Sequence, residues 1–392
     1  MPLEAARPTP ARKVQIARPV LGDDEWQALR EPLEKGWLTQ GPCVSRFEKE
    51  FAARHNVKHG LATTSCTTAL HLALAALDVG PGDEVIVPAF TWVATANVVL
   101  YCGAKPVLVD VNPMTYNIDP AAVRKAITPR TKAVIVVHLF GLCADMDAIK
   151  GAAGDIPIIE DAACAAGASY RGEPAGSLGT MGCFSFHPRK SITTGEGGMI
   201  TTNNDSLAEK INILRNHGAT VSEEQRHLGP QPYLLPDFNL LGFNYRMTDL
   251  QGAIGSVQLK RLDGFLAERR ECAAFYEREL ADIEWLATPS VPRDCEHGWQ
   301  AYVCRVDESL APSPRNEIMQ RLEEQGVSTR PGTHAVHMLG LYRERLGCRD
   351  DDFPGARDCD RYTIAIPLHN AMNSEDYQYV VETLHRISDT RG

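Results

Sequence analysis

The chain has no apolar run near the ~20 residues that a bilayer span needs. A long one, AVIVVHLFGL from Ala133, is ten residues. It has no CxxC pair either. Its eleven cysteines are scattered, many inside apolar runs, which speaks against a zinc site or a disulfide framework and fits reduced thiols in a cytosolic protein. No metal is therefore expected. No basic stripe interrupts the interspersed charges, and a formal net charge of −10 argues against a dedicated nucleic-acid binder. Internal repeats and low-complexity segments are lacking. The N-terminal stretch MPLEAARPTPARKVQIARP carries charges and prolines where a signal peptide has an apolar segment, so export is not expected and the expected location is the cytoplasm.

What is there is material for a large core. A chain of 392 residues with 44% hydrophobic residues exceeds the usual single-core size, so two domains are expected. From about Gly60 to Asn204 the texture alternates. ALHLALAALDV has helical spacing, EVIVP is a short buried strand, and TANVVLYCGA is helical again. KPVLVDV, AVIVVHLFG, PIIED, CFSF and GMITT follow as strands. Short β-branched runs separated by helices predict an α/β fold with a mostly parallel central sheet covered by helices. Around Arg246 a helical period sets in, from Met247 to beyond Phe275, long enough to link two domains, with Gly264 as the point where it could bend or break. Beyond it, WQAYVCRV, GVSTRP and TIAIPL read as strands and NEIMQRLEEQG as a helix, which predicts a smaller α+β C-terminal domain. The expected division is 1–246 for the N-terminal segment and large domain, and 247–392 for the linking helix and small domain.

In an open α/β sheet ligands bind at the carboxyl ends of the strands, and three features converge there. PIIED ends a buried strand in Asp161 and is followed by the small residues AACAAGA. Asp161 is thus either a helix cap or an acid facing the cleft, with something flat against the backbone. TTSCTTALHLAL, from Thr63, crowds Ser and Thr at the start of an apolar helix, where free N–H groups and the helix dipole favour an anion. One such residue suffices for capping, and the excess points to a phosphate cup. In SFHPRKSITTGEGG, Lys190 sits in a bend between two strands, with small residues after it. With Trp92 at the end of another strand, these residues make the set that pyridoxal phosphate requires: a lysine for its aldehyde, an acid for its pyridine nitrogen, an anion site and a stacking ring.

PGDEVIVPAFTWVATAN, IIEDAACAAGA, GCFSFHPRKSITTGEGG and FNYRMTDLQGAIGSVQL together make the chain similar to the fold-type-I PLP-dependent sugar aminotransferases of the DegT/DnrJ/StrS family, over nearly its whole length. The resemblance implies Lys190 as the Schiff-base lysine, Asp161 as the partner of the pyridine nitrogen and Trp92 as the stacking aromatic. It implies Cys66, Thr67 and Ser185 as phosphate contacts, with Asn244 reaching the phosphate of the neighbouring subunit in a homodimer. Two positions depart from the commonest pattern. Cys66 stands where glycine is frequent, and Cys164 where a glutamine often contacts the ring hydroxyl; a thiol hydrogen-bonds poorly.

The implied reaction transfers an amino group, from L-glutamate, to a keto-sugar nucleotide, without nucleic acid or membrane partners. His187, Arg189, Arg246, His334 and His337 are candidate substrate contacts. For His187 a structural role is equally open, and for Arg246 a simple pairing with a neighbouring acid. Competing readings are an aminotransferase of the same family acting on a cyclitol or other non-nucleotide ketone, a PLP-dependent sugar dehydratase, and a non-catalytic protein that kept the fold.

Overall fold

The computed structural model describes residues 12–221, 229–230, 233 and 235–389. Seven strands build the central sheet: β1 (His59–Thr63), β2 (Glu84–Pro88), β3 (Lys105–Val109), β4 (Thr131–Val137), β5 (Ile158–Asp161), β6 (Met181–Ser185) and β7 (Gly198–Thr202). Their order across the sheet is β3-β2-β4-β5-β6-β7-β1. All neighbours are parallel except at β7, which runs against both β6 and β1.

Both faces of this sheet are buried, which is why its strands read as continuous apolar runs. Alternate residues go to opposite sides, as the two-residue period requires. Val85, Val87, Ile135 and Cys183 join one core, under helices α2 (Cys66–Ala76), α3 (Ala94–Tyr101) and α4 (Asp205–Leu214). Ile86, Val134, Val136 and Phe184 join the other, with Phe47 and Phe51 of helix α1 (Pro42–Arg54) and Leu259, Leu262 and Leu266 of helix α5 (Asp249–Glu279).

Helix α5 is one unbroken helix of 31 residues. The sequence left Gly264 as a break point, and the helix runs through it. The reason lies on either side: Leu262, Phe265 and Leu266 are buried, and their packing outweighs the ~1 kcal/mol that a mid-helix glycine costs. Farther along, Ala273 and Tyr276 enter a third core, with Tyr302, Ile318, Ile364 and Leu384. That core lies between a three-stranded antiparallel sheet (Leu286–Ala287, Tyr302–Val306, Thr363–Ile366) and helices Arg315–Glu324 and Ser374–Ser388. GVSTRP is not a strand. It makes single bridges only, Val327 with Val14 and Arg330 with Ala365, so the N-terminal segment docks on this third unit. Among the described residues no helix is long and apolar enough to cross a membrane, and no three His, Cys, Asp or Glu side chains group to hold a metal.

Candidate active site

Strand register brings the singled-out residues to one edge. Thr63, Gly198 and Ser185 stand opposite one another across β1, β7 and β6, and Asp161 pairs with Cys183 on β6. The carboxyl ends of the parallel strands and the start of β7 therefore coincide, where ligands of open α/β sheets sit.

Asp161 is buried. Its carboxylate accepts from the Thr95 hydroxyl at 2.8 Å and from the Ala163 N–H at 3.2 Å. Burial pushes its pKa up; the Thr95 and Ala163 hydrogen bonds and the Lys190 charge pull it back without cancelling the rise. The next helix after Asp161 begins only at Asp205, so the capping alternative has nothing to cap.

Lys190 sits in the turn that follows β6, its N–H bonded to the His187 carbonyl at 2.9 Å. Its amine lies 3.1 Å from the sulfur of Cys164. Burial alone would lower this amine; Cys164, Cys66 and Asp161 outweigh burial and leave it above its ordinary value. The thiol of Cys66 in turn approaches Asp161 at 3.9 Å and is pushed well up by burial.

The crowd of Ser and Thr residues at the start of α2 is mostly spent on the helix itself. Ser65 caps the Thr68 N–H at 3.2 Å. Thr68 returns to the Ser65 N–H and carbonyl, Thr63 donates to the same carbonyl, and Thr64 bonds Thr68. Composition therefore overstated the hydroxyls on offer. Among the described residues, Thr67 alone of the five has no hydrogen-bond partner for its hydroxyl. The N–H groups of Cys66 and Thr67, in the first turn, have no carbonyl four residues back. Gly198 fits against this turn because it lacks a side chain: a Cβ there would lie 2.4 Å from the Ser65 carbonyl carbon and 2.7 Å from the Cys66 nitrogen. Close backbone approach thus fixes the helix N-terminus beside Ser185, whose hydroxyl oxygen accepts weakly from the His187 N–H at 3.4 Å.

Trp92 follows a two-residue strand, Phe90–Thr91, that pairs with His334–Ala335. It is 60% exposed, unusual for so large an aromatic, and the His334 ring meets it edge-on at 5.5 Å. An amine, a buried carboxylate, two unpaired N–H groups at a helix N-terminus, two hydroxyls and an open indole are together the donor set that pyridoxal phosphate calls for.

A family model described as the DegT/DnrJ/EryC1/StrS aminotransferase family matches residues 19–385. The chain belongs to this aminotransferase family. It is 41% identical to the spore coat polysaccharide biosynthesis protein SpsC of Bacillus subtilis, over 94% of this chain and 95% of that one. It is also 41% identical to the GDP-perosamine synthase of Caulobacter vibrioides, over 96% and 98%. Among solved structures, the PLP form of the putative sugar aminotransferase Spr1654 of Streptococcus pneumoniae matches with a TM-score of 0.89 and 29% identity, covering 97% of this chain and all of that one.

The aminotransferase's remaining candidates differ in where the fold places them. His187 accepts the Arg189 N–H on Nδ1 at 3.2 Å and so shapes the Lys190 turn; burial lowers its pKa. Arg189 and His334 are exposed beside this edge. Arg246 donates to the Asn216 amide oxygen at 2.5 Å rather than to an acid. Asn244 is exposed, its backbone bridged to Asn216. His337 is fully buried against Phe353 and bonds the Asp350 carbonyl at 3.1 Å, so the fold does not bring it to the opening. Sequence reasoning missed Thr95, although it stands three residues after Trp92 in the first turn of α3, a spacing that places both near one strand end. It also missed His138, which donates from Nε2 to the buried Glu160 at 2.8 Å and accepts the Ala144 N–H on Nδ1, buttressing β5 next to Asp161.

Proposed function

We propose that this chain is a PLP-dependent aminotransferase of amino-sugar biosynthesis that moves an amino group from L-glutamate to a keto-sugar nucleotide. The observation that carries the reading is the meeting of the Lys190 turn, Asp161 and the α2 N-terminus at one sheet edge, brought about by strand register. Bound pyridoxal phosphate supplies an aldehyde and an electron-accepting pyridine ring. Lys190 would hold the aldehyde end and carry a proton to and from the substrate carbon as general acid and base. Asp161 would face the pyridine nitrogen and keep it protonated. The Thr95 hydroxyl and the Ala163 N–H hold both carboxylate oxygens in place for this. Cys66 and Thr67 offer backbone N–H groups to the phosphate, Ser185 and Thr67 their hydroxyls, and Trp92 its open face to the ring. Cys164 stands beside the reactive amine.

A second copy of the chain completes each site in this reading. Asn244 lies on a stretch where Leu235, Phe238 and Leu241 are 83%, 58% and 91% exposed. So much apolar surface on one stretch supports a covering partner. The change of core along α5 supports the division into a cofactor-binding body through residue 246 and a second domain from 247. Eleven free cysteines support a reducing cytoplasm. Incubating the PLP-loaded enzyme with L-glutamate and a panel of keto-sugar nucleotides should release 2-oxoglutarate and an aminated sugar nucleotide. No 2-oxoglutarate with any panel member would sink the reading.

A further inference from the structure

A cavity of about 420 Å³ opens between the N-terminal segment, the 323–330 stretch and the turn that carries Lys190. Its size is in the lower part of the range for small-molecule pockets, roughly 300–1,000 Å³. Three cations line it, Lys13, Arg189 and Arg330, against one carboxylate, Glu323. Among the described residues, neither Arg189 nor Arg330 has an acidic partner. The Arg330 charge reaches Arg189, whose hold on its proton is lowered by burial first and by that charge second. Unpaired like charges facing one cavity cost energy unless an anion joins them.

The backbones that present these groups are anchored. The Val14 N–H donates to the Gly326 carbonyl at 2.8 Å, and the Ser328 N–H to the Val14 carbonyl at 3.0 Å. Arg330 exchanges two backbone hydrogen bonds with Ala365. The Arg189 carbonyl accepts from Gln300 Nε2 at 2.9 Å, and Arg269, itself buried, donates to the Gln300 and Trp299 carbonyls. Two anchored stretches of backbone, the Lys190 turn tied to Gln300 and the 326–330 stretch tied to Val14 and Ala365, therefore present the two arginines to a space that begins one residue along the chain from Lys190.

We propose that Arg189 and Arg330 form the anion anchor for the amino donor, each able to take a carboxylate of a small dicarboxylic amino acid through its planar fork. The assignment rests on the aminotransferase reading and adds which residues select the donor. A diphosphate on the acceptor shares the chemistry of a carboxylate here. The modest size of the cavity and its lining by the residue that precedes Lys190 in the chain favour the donor.

The test separates the two half-reactions of the PLP-loaded enzyme, followed by cofactor absorbance. Arg330→Gln should raise the L-glutamate concentration for half-maximal rate on the order of 10–100-fold, the range for losing one hydrogen bond to a charged group. It should leave the half-reaction with the keto-sugar nucleotide within about twofold. Arg330→Lys should fall between Gln and wild type, and succinate, an unreactive dicarboxylate, should inhibit the wild type and lose potency in Arg330→Gln. Arg330 is exposed, and matching cofactor content and melting temperature confirm the fold; Arg189→Gln should show the same donor-selective loss. A loss confined to the sugar-nucleotide half-reaction overturns the proposal in favour of a diphosphate anchor. Unchanged donor kinetics in both variants overturn it outright. A wild type that does not react with glutamate at all instead overturns the aminotransferase reading beneath it.

Discussion

The amine of Lys190 lies 3.1 Å from the sulfur of Cys164, and Cys164 is three residues beyond Asp161 on the loop that leaves β5. A thiol is a weak acceptor and a small one, so it keeps the amine oriented without binding it. Replacing it by a hydroxyl should be tolerated: Cys164→Ser is expected to retain turnover within about threefold, since a neutral hydrogen bond is worth roughly 0.5–1.5 kcal/mol. Because the thiol stands beside the amine, alkylating it should block cofactor loading. Iodoacetamide should inactivate cofactor-free protein, PLP should protect, and Cys164→Ser should resist. A Cys164→Ser variant as sensitive as wild type would move the reactive thiol elsewhere.

Asp161→Asn keeps the shape of the buried carboxylate and removes its charge. The Thr95 hydroxyl can turn toward Thr91, 3.0 Å away, so folding should survive. Turnover should fall on the order of 10²–10³-fold, the range for losing one preorganised electrostatic partner. Near-native turnover would show that Asp161 has no part in the chemistry.

Gly264 is exposed in the middle of α5, and a Cβ added there meets nothing within 4 Å. Gly264→Ala should therefore stabilise the protein by about 0.5–1 kcal/mol, measured by chemical unfolding at constant m-value. A loss of stability would mean the helix needs flexibility at that point.

Two buried histidines contribute to the acid response. Burial lowers His55 to about 4 and His297 to about 3, from 6.5. Folded, they hold their protons less tightly than the unfolded chain does, so the stability they contribute is present above pH 6.5. It is lost as pH falls from there toward 3, at up to about 1.4 kcal/mol per pH unit for each. Unfolding free energies measured between pH 7 and 5 should show this slope. His55→Phe, which keeps the ring stacked on Phe51, should flatten it by about one proton. An unchanged slope would mean His55 is charged in the folded state.

Much of this was legible in the chain because β-branched runs and small-residue loops leave strong patterns. EVIVP, AVIVV, PIIED, CFSF and GMITT all contain strands of the central sheet, and the family resemblance was carried by motifs at their ends. What stayed hidden concerned partners rather than residue types. Composition could not reveal that Ser65 and Thr68 satisfy each other, nor that Cys164 faces an amine instead of an open ring site. Gly264 suggested a break because local propensity says nothing of Leu262 and Leu266 packing on a sheet built some 60 residues or more earlier in the chain. Arg330 escaped notice because its relation to Arg189 arises only where the 323–330 stretch and the Lys190 turn line one cavity. GVSTRP has the texture of a strand, yet each of its bridges is single.

The most direct test of the account is which lysine carries the cofactor. The PLP-loaded protein should be yellow, and borohydride reduction followed by peptide mapping should place the reduced adduct on Lys190. Lys190→Ala should still bind PLP, non-covalently, because Asp161, Trp92 and the α2 N-terminus remain. Its transamination rate should fall by about 10²–10⁴-fold, the usual worth of a general acid–base group. An adduct on another lysine, or a Lys190→Ala variant that transaminates glutamate at an appreciable fraction of the native rate, would contradict the account at its centre.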